Sequence, residues 1–99
     1  MVYEHVVIKV QSGRSELFEQ ALATARQEAF GPAQGFVSLD ARRCIEEPNT
    51  YVCIIGWQRL EDHTVTFRAS PLFMKWRGLV GEYFAEPPGV LHFAEVPLG

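Results

Sequence analysis

The spacing of hydrophobic positions changes character several times along the chain. Between Tyr3 and Val10 the β-branched residues Val6, Val7, Ile8 and Val10 crowd together, which predicts a strand, and Gln11-Ser12-Gly13 interrupts it. From Arg14 onward Leu17, Phe18, Ala21, Leu22, Ala25 and Ala29 recur at steps of three and four, the pattern of an amphipathic helix. Ser12 suits its N-cap, Glu16 suits the positive end of its dipole, and Gly31-Pro32 stops it. Two more strands are predicted over Phe36 to Ile45 and Tyr51 to Gln58, joined by turn chemistry at Glu47-Pro48-Asn49. With Pro48 and Asn49 at the turn centre, Cys44 falls opposite Cys53, Arg42 opposite Ile55 and Asp40 opposite Trp57. Leu60 to Arg68 predicts a short helix with Leu60, His63, Thr64 and Phe67 on one stripe. Ser70-Pro71 restarts a helix, with Ser as N-cap and Pro at the first helical position. Its apolar face runs through Leu72, Phe73, Trp76, Leu79, Val80, Tyr83 and Phe84. Pro87-Pro88-Gly89 ends it, and Val90 to Val96 predicts the last strand.

The element order is therefore β-α-β-β-α-β, with the second helical region split in two. This is an α+β chain of ferredoxin-like type, one antiparallel sheet carrying its helices on one face. No linker, repeat or charge block divides it, so residues 1–99 read as a single domain. The third strand is apolar on both sides, because Tyr51, Cys53, Ile55 and Trp57 alternate with Val52, Ile54 and Gly56. Helices cover only one of those sides. The other calls for a second copy of the chain, and a sheet-to-sheet homodimer is expected.

Composition narrows the classes of partner. Nine basic residues stand against twelve acidic ones, a net charge of −3, which argues against nucleic-acid binding by bulk charge. No apolar run approaches the ~20 residues needed to cross a bilayer, so no membrane partner is expected. Met1-Val2-Tyr3-Glu4-His5 lacks the basic and apolar regions of a signal peptide, and the expected location is the cytoplasm. Two cysteines in that compartment are expected as reduced thiols; facing across the hairpin, they could pair if oxidised. An apolar fraction of 47%, with 12% aromatic, is generous for so small a chain. It leaves material for an interface and for a pocket.

Several stretches taken together resemble the antibiotic biosynthesis monooxygenase family. Gly56-Trp57-Gln58-Arg59-Leu60-Glu61-Asp62-His63 is similar to that family's strand-to-helix junction. Phe67-Arg68-Ala69-Ser70-Pro71-Leu72-Phe73 and Trp76-Arg77 resemble the family's next segment, and Gly35-Phe36-Val37-Ser38 resembles the opening of its second strand. The resemblance spans essentially the whole chain and implies a dimeric α+β barrel built from two ferredoxin-like sheets. The family includes cofactor-free oxygenases of phenolic or quinol-type polyketides, haem-degrading enzymes, and many proteins of unassigned activity. The haem-degrading branch is known for an Asn on the first strand, a Trp ending the third, and a His in the later helix. Trp57 matches, but His5 and Arg77 stand at the other two positions, so haem cleavage is the lesser reading.

A cofactor-free oxygenase needs a base to ionise a phenol or enol, and an apolar pocket that holds the anion beside dioxygen. Histidine is the natural base near neutrality, and there are three, His5, His63 and His92. His63 lies within the resembled junction, near Trp57 in sequence and one turn from Phe67; a structural histidine at a partly buried edge fits the same position. His5 and His92 fall on strands that neighbour each other in this topology and could face one another. Arg68 is a candidate to stabilise a bound phenolate or superoxide, or else to form a surface salt bridge with Glu61, Asp62 or a carboxylate of a partner chain. Trp57, Phe67 and Trp76 are candidates for the pocket wall, and Tyr51, Tyr83 and His92 for polar contact with a small aromatic substrate. No His or Cys spacing suits a metal, and no cofactor is expected. Two functions stay open at this point. One is a cofactor-independent monooxygenase of a quinol or polycyclic phenol; the other is a non-enzymatic dimeric module that binds a small apolar ligand.

Overall fold

A computed structural model describes residues 1–99. Four strands form one antiparallel sheet in the order β2-β3-β1-β4, where β1 is Val2–Lys9, β2 Phe36–Arg43, β3 Thr50–Trp57 and β4 Gly89–Ala94. Two helices, α1 (Ser15–Ala25) and α2 (Pro71–Val80), supply the crossovers β1-α1-β2 and β3-α2-β4. This is the ferredoxin-like α+β arrangement, with the second helical region in two pieces.

Alternation along the strands sorts side chains between two faces. Val6, Ile8, Leu39, Tyr51, Cys53, Ile55 and Trp57 point to the helices and meet Phe18, Leu22 and Ala25 of α1 and Trp76 and Val80 of α2. Phe30 and Phe67 fill the end of this core, their rings stacked 5.0 Å apart. On the opposite face no element covers the sheet. There Val7 and Phe93 are each 45% exposed and Leu91 66%, beside the half-buried Val52 and Ile54.

Both helical regions widen at one end. α1 runs into a π-helical turn, Arg26–Phe30, and the segment before α2, Asp62–Phe67, is π-helical throughout. In each a backbone N–H reaches five residues back, Gly31 to the Arg26 carbonyl and Arg68 to the His63 carbonyl. Such turns accommodate an extra residue and recur at functional sites. Here they turn Ala29, Phe30, Asp62, His63 and Phe67 inward. Helix α1 begins at Ser15 rather than near Ser12, with Arg14 at its N-cap. Ser70 does precede α2 in extended conformation, but its hydroxyl donates to the Phe67 carbonyl at 2.7 Å instead of capping α2. α2 stops at Val80, and Tyr83 belongs to a 3₁₀ turn, Gly81–Tyr83.

Two expected pairings are corrected. In the β2–β3 hairpin Ala41 faces Cys53, Arg42 faces Val52 and Asp40 faces Ile54, a shift of three residues. The connection is not a two-residue turn. Cys44 N–H donates to the Thr50 carbonyl and Thr50 N–H to the Glu47 carbonyl, closing a longer loop that leaves Cys44 outside the strand. Cys44 and Cys53 are thus not cross-strand partners, and both are free thiols. On the other edge, His5 pairs with Leu91, and it is Glu4 that stands opposite His92. His5 lies on the open face against the Phe93 ring, at 4.4 Å between centroids.

Candidate active site

The inward row of β1 reads Glu4, Val6, Ile8, so a carboxyl group occupies a core position. Glu4 is only 5% exposed. Its Oε1 accepts a 3.0 Å hydrogen bond from the indole N–H of Trp57, a side chain with no exposed surface. Its Oε2 lies 3.3 Å from Nε2 of His63, which is 3% exposed. The other ring nitrogen of His63, Nδ1, is 2.8 Å from Nε2 of His92 on β4. A carboxyl and two imidazoles therefore stand in line, from the core to the partly exposed His92 ring.

His63 is fixed from several sides. Its ring stacks on Trp57 at 5.5 Å and packs near Phe67 at 6.1 Å. Its helical segment is anchored by Asp62, whose Oδ2 accepts the Arg59 N–H at 3.1 Å and whose Oδ1 lies 3.5 Å from the Arg59 guanidinium. Asp62 packs directly on Gly35, which has φ +78°; a Cβ there would stand 2.0 Å from the Asp62 carboxylate. Only glycine meets both demands.

Burial sets the charge states. Loss of water pushes the Glu4 carboxyl up from 4.5 to about 7, while the Trp57 N–H and the positive charge of Arg68 restrain the rise. Burial lowers His63 from 6.5 to about 4, with Arg68 and His92 adding to the effect. His92 is lowered as well, by burial first and then by Arg68. At neutral pH both imidazoles are neutral, so the 3.3 Å Glu4–His63 contact joins a carboxyl group to a neutral ring rather than forming an ion pair. Cys53 is pushed up to about 12 by burial and the nearby Glu4, which makes it an inert thiol.

Glu4 and His63 open onto a cavity of about 340 Å³ between sheet and helices. Val6, Phe30, Phe67, Phe73 and Trp76 form its apolar walls, Pro87, Pro88 and Val90 close one side, and Arg68 and Arg77 supply positive charge. Arg68 is exposed and forms no ion pair with Glu61 or Asp62; Asp62 is engaged by Arg59. Of the residues expected from sequence, His63, Arg68, Phe67 and Trp76 thus line one cavity. Trp57 stands behind Glu4, and His92 behind His63. Tyr51 and Tyr83 are elsewhere. The Tyr51 hydroxyl donates to Glu19 at a separate cleft beneath α1, and Tyr83 carries the Arg14 guanidinium 4.8 Å from its ring centre. The three-group line does not converge on a metal position, because His63 offers a different nitrogen to each neighbour.

Sequence reasoning passed over Glu4. Its signal was the inward alternation itself, a carboxylate in register with Val6 and Ile8.

Fold and cavity together define a small ferredoxin-like domain with a ligand-sized site between its sheet and its helices. Residues 1–79 match the family model for antibiotic biosynthesis monooxygenase, and the chain belongs to that family. It is 31% identical over 96 residues to the uncharacterised Bacillus subtilis protein YczJ, covering 97% of this chain and all of that protein. A Bordetella bronchiseptica structure named for the same family superposes with a TM-score of 0.93 at 42% identity, over 97% of each chain. SnoaB of Streptomyces nogalater, described as a cofactor-independent oxygenase, shares the fold with a TM-score of 0.78 at 23% identity, over 98% of this chain and 95% of that one.

Proposed function

We propose that the chain is a cofactor-independent monooxygenase that oxidises a quinol or other phenolic substrate with dioxygen. The observation that carries this reading is the buried Glu4 carboxyl, poised near neutrality and facing an apolar cavity beside neutral His63. A base whose pKa sits near the working pH combines availability with driving force. The cavity lies at the small end of ligand pockets and suits one or two fused rings better than a larger polycycle.

In the proposed reaction the Glu4 carboxylate takes the phenolic proton, and Arg68 stabilises the phenolate that forms. Electron-rich phenolate passes one electron to dioxygen, and superoxide and the phenoxyl radical join at a ring carbon bearing hydrogen. Glu4 returns its proton to the peroxide. The regenerated Glu4 carboxylate then takes the ring hydrogen as a proton while the O–O bond breaks, leaving a quinone carbonyl and hydroxide. That proton must leave Glu4 before the next turnover and completes the water. The balance is one phenol and one dioxygen to one quinone and one water. Phe30, Phe67, Phe73 and Trp76 keep bulk water from the radical pair.

The uncovered sheet face belongs to the same reading. Val7, Leu91 and Phe93, with Val52 and Ile54, form an apolar surface suited to a second copy of the chain, giving a homodimer packed sheet to sheet. Oxygen uptake with a panel of hydroquinones, without flavin, haem or metal, tests the activity. Uptake above autoxidation is expected, reduced by about two orders of magnitude or more in Glu4→Gln, a typical loss for a general base. Uptake at background for every quinol would overturn it and leave a small-ligand-binding module.

A further inference from the structure

We infer that Glu4, His63 and His92 form a proton relay, in which His92 is the outlet that exchanges protons between the buried carboxyl and solvent. The inference rests on the reading of the cavity as the place where a substrate proton is removed, and it assigns His92 a role that no contact with substrate requires.

The geometry carries it. Glu4 is sealed by Trp57 on one oxygen, and its other oxygen meets only His63 among the titratable groups of the site. His63 uses its two nitrogens for two partners, Glu4 at 3.3 Å and His92 at 2.8 Å. The first contact is slightly long and not aligned as a hydrogen bond, and the relay requires the Glu4 carboxyl to turn toward His63 Nε2. His92 engages His63 through Nε2 and has Nδ1 left over, on a ring that is partly exposed.

The path of the proton is set by the imidazole tautomers. With Glu4 protonated, its O–H donates to His63 Nε2, His63 Nδ1–H donates to His92 Nε2, and His92 holds its own proton on Nδ1. Transfer of that Nδ1 proton to water is concerted with the shift of both ring protons, so that neither ring becomes an imidazolate. His92 then donates from Nε2 to His63 Nδ1, His63 donates from Nε2 to the Glu4 carboxylate, and one proton has left the core. No ring passes through the imidazolium state, in keeping with the depressed basicity of both histidines. The other charged or titratable groups facing the line are Arg68, Arg77 of α2 and the inert thiol of Cys53 on β3. The positive charge of Arg68 helps to keep both rings neutral.

Long-range ¹⁵N–¹H NMR of the histidine rings tests the relay without any substrate. As pH rises through about 7, His63 and His92 are expected to change tautomer together, His63 from Nδ1–H to Nε2–H and His92 in step with it. In Glu4→Gln both rings are expected to hold one tautomer across that range. A His92 tautomer that ignores pH in the wild type, or that still switches in Glu4→Gln, would overturn the relay. A kinetic arm uses hydroquinone oxidation: His92→Ala should slow it on the order of tenfold, and added imidazole should restore it. A slow variant deaf to imidazole would also count against the relay. Absence of oxygen uptake by the wild type, with coupled tautomer switching intact, would sink the oxygenase reading and leave the relay standing.

Discussion

Replacing Glu4 by Gln should change how stability depends on pH, and the direction follows from burial. The folded state raises the Glu4 pKa from 4.5 to about 7, so it holds that proton more tightly than the unfolded chain. The stabilisation is full below pH 4.5 and is lost as pH rises through about 7. A displacement of ~2.5 units corresponds to about 3 kcal/mol. His63 acts with opposite sign. Its folded pKa of about 4 lies below the ordinary 6.5, so its contribution is present above 6.5 and lost as pH falls through about 4. The Glu4 and His63 slopes nearly cancel between pH 4.5 and 6.5, so the wild-type profile there keeps only the shallow rise with pH that the lowered His92 adds. In Glu4→Gln the slopes of His63 and His92 survive without the opposing one. The variant should gain about 3 kcal/mol on the wild type between about pH 4.5 and 7.5, while its amide oxygen still accepts from Trp57. Urea unfolding at a series of pH values and one fixed protein concentration reads this directly. A pH-independent difference between the two proteins would mean that Glu4 titrates normally in the fold and would refute the reasoning.

Four further outcomes are expected. Trp57→Phe removes the N–H that favours ionised Glu4, so the pH profile of activity should move upward, with about 1–3 kcal/mol lost in urea unfolding. Gly35→Ala drives a methyl into Asp62 and forces an unfavourable φ, and should cost more than about 2 kcal/mol in the same assay. Arg68→Gln should weaken retention of an ionised phenol, seen as a raised KM, and shift the Glu4 midpoint upward in the pH profile. Leu91→Arg places a charge on the open sheet face; sedimentation should give twice 11.2 kDa for the wild type and about half that for the variant, with unchanged circular dichroism.

The strands and helices were legible because their periods differ. Val6, Ile8 and Val10 against Leu17, Phe18, Leu22 and Ala25 separate the extended segment from the coiled one. The two-sided apolar character of Tyr51 to Trp57 also survived, as a covered face and an open one. Register was less legible. It depended on the loop from Cys44 to Asn49, whose closure through Thr50 rests on backbone hydrogen bonds that side-chain preferences do not encode. Tyr83 was read as part of a longer helix because its spacing continues that of Leu79 and Val80, whereas the chain tightens into a 3₁₀ turn at Gly81. His63 was visible through its place after Trp57. Its partners were not, because Glu4 and His92 come from opposite ends of the chain and meet only when β4 pairs with β1. A charged residue in a strand is ordinarily assigned to the wet face, and the helix-facing row of β1 is where that expectation fails.

The central claim is that this cavity inserts one atom of dioxygen into a phenol using only the protein's own groups. Turnover of a hydroquinone under ¹⁸O₂, after exhaustive dialysis against chelator and with product mass read by mass spectrometry, tests it most directly. The account predicts a quinone carrying one ¹⁸O atom and a label that falls to the autoxidation level in Glu4→Gln. Product without ¹⁸O, or labelling that is the same in wild type and Glu4→Gln, would contradict it.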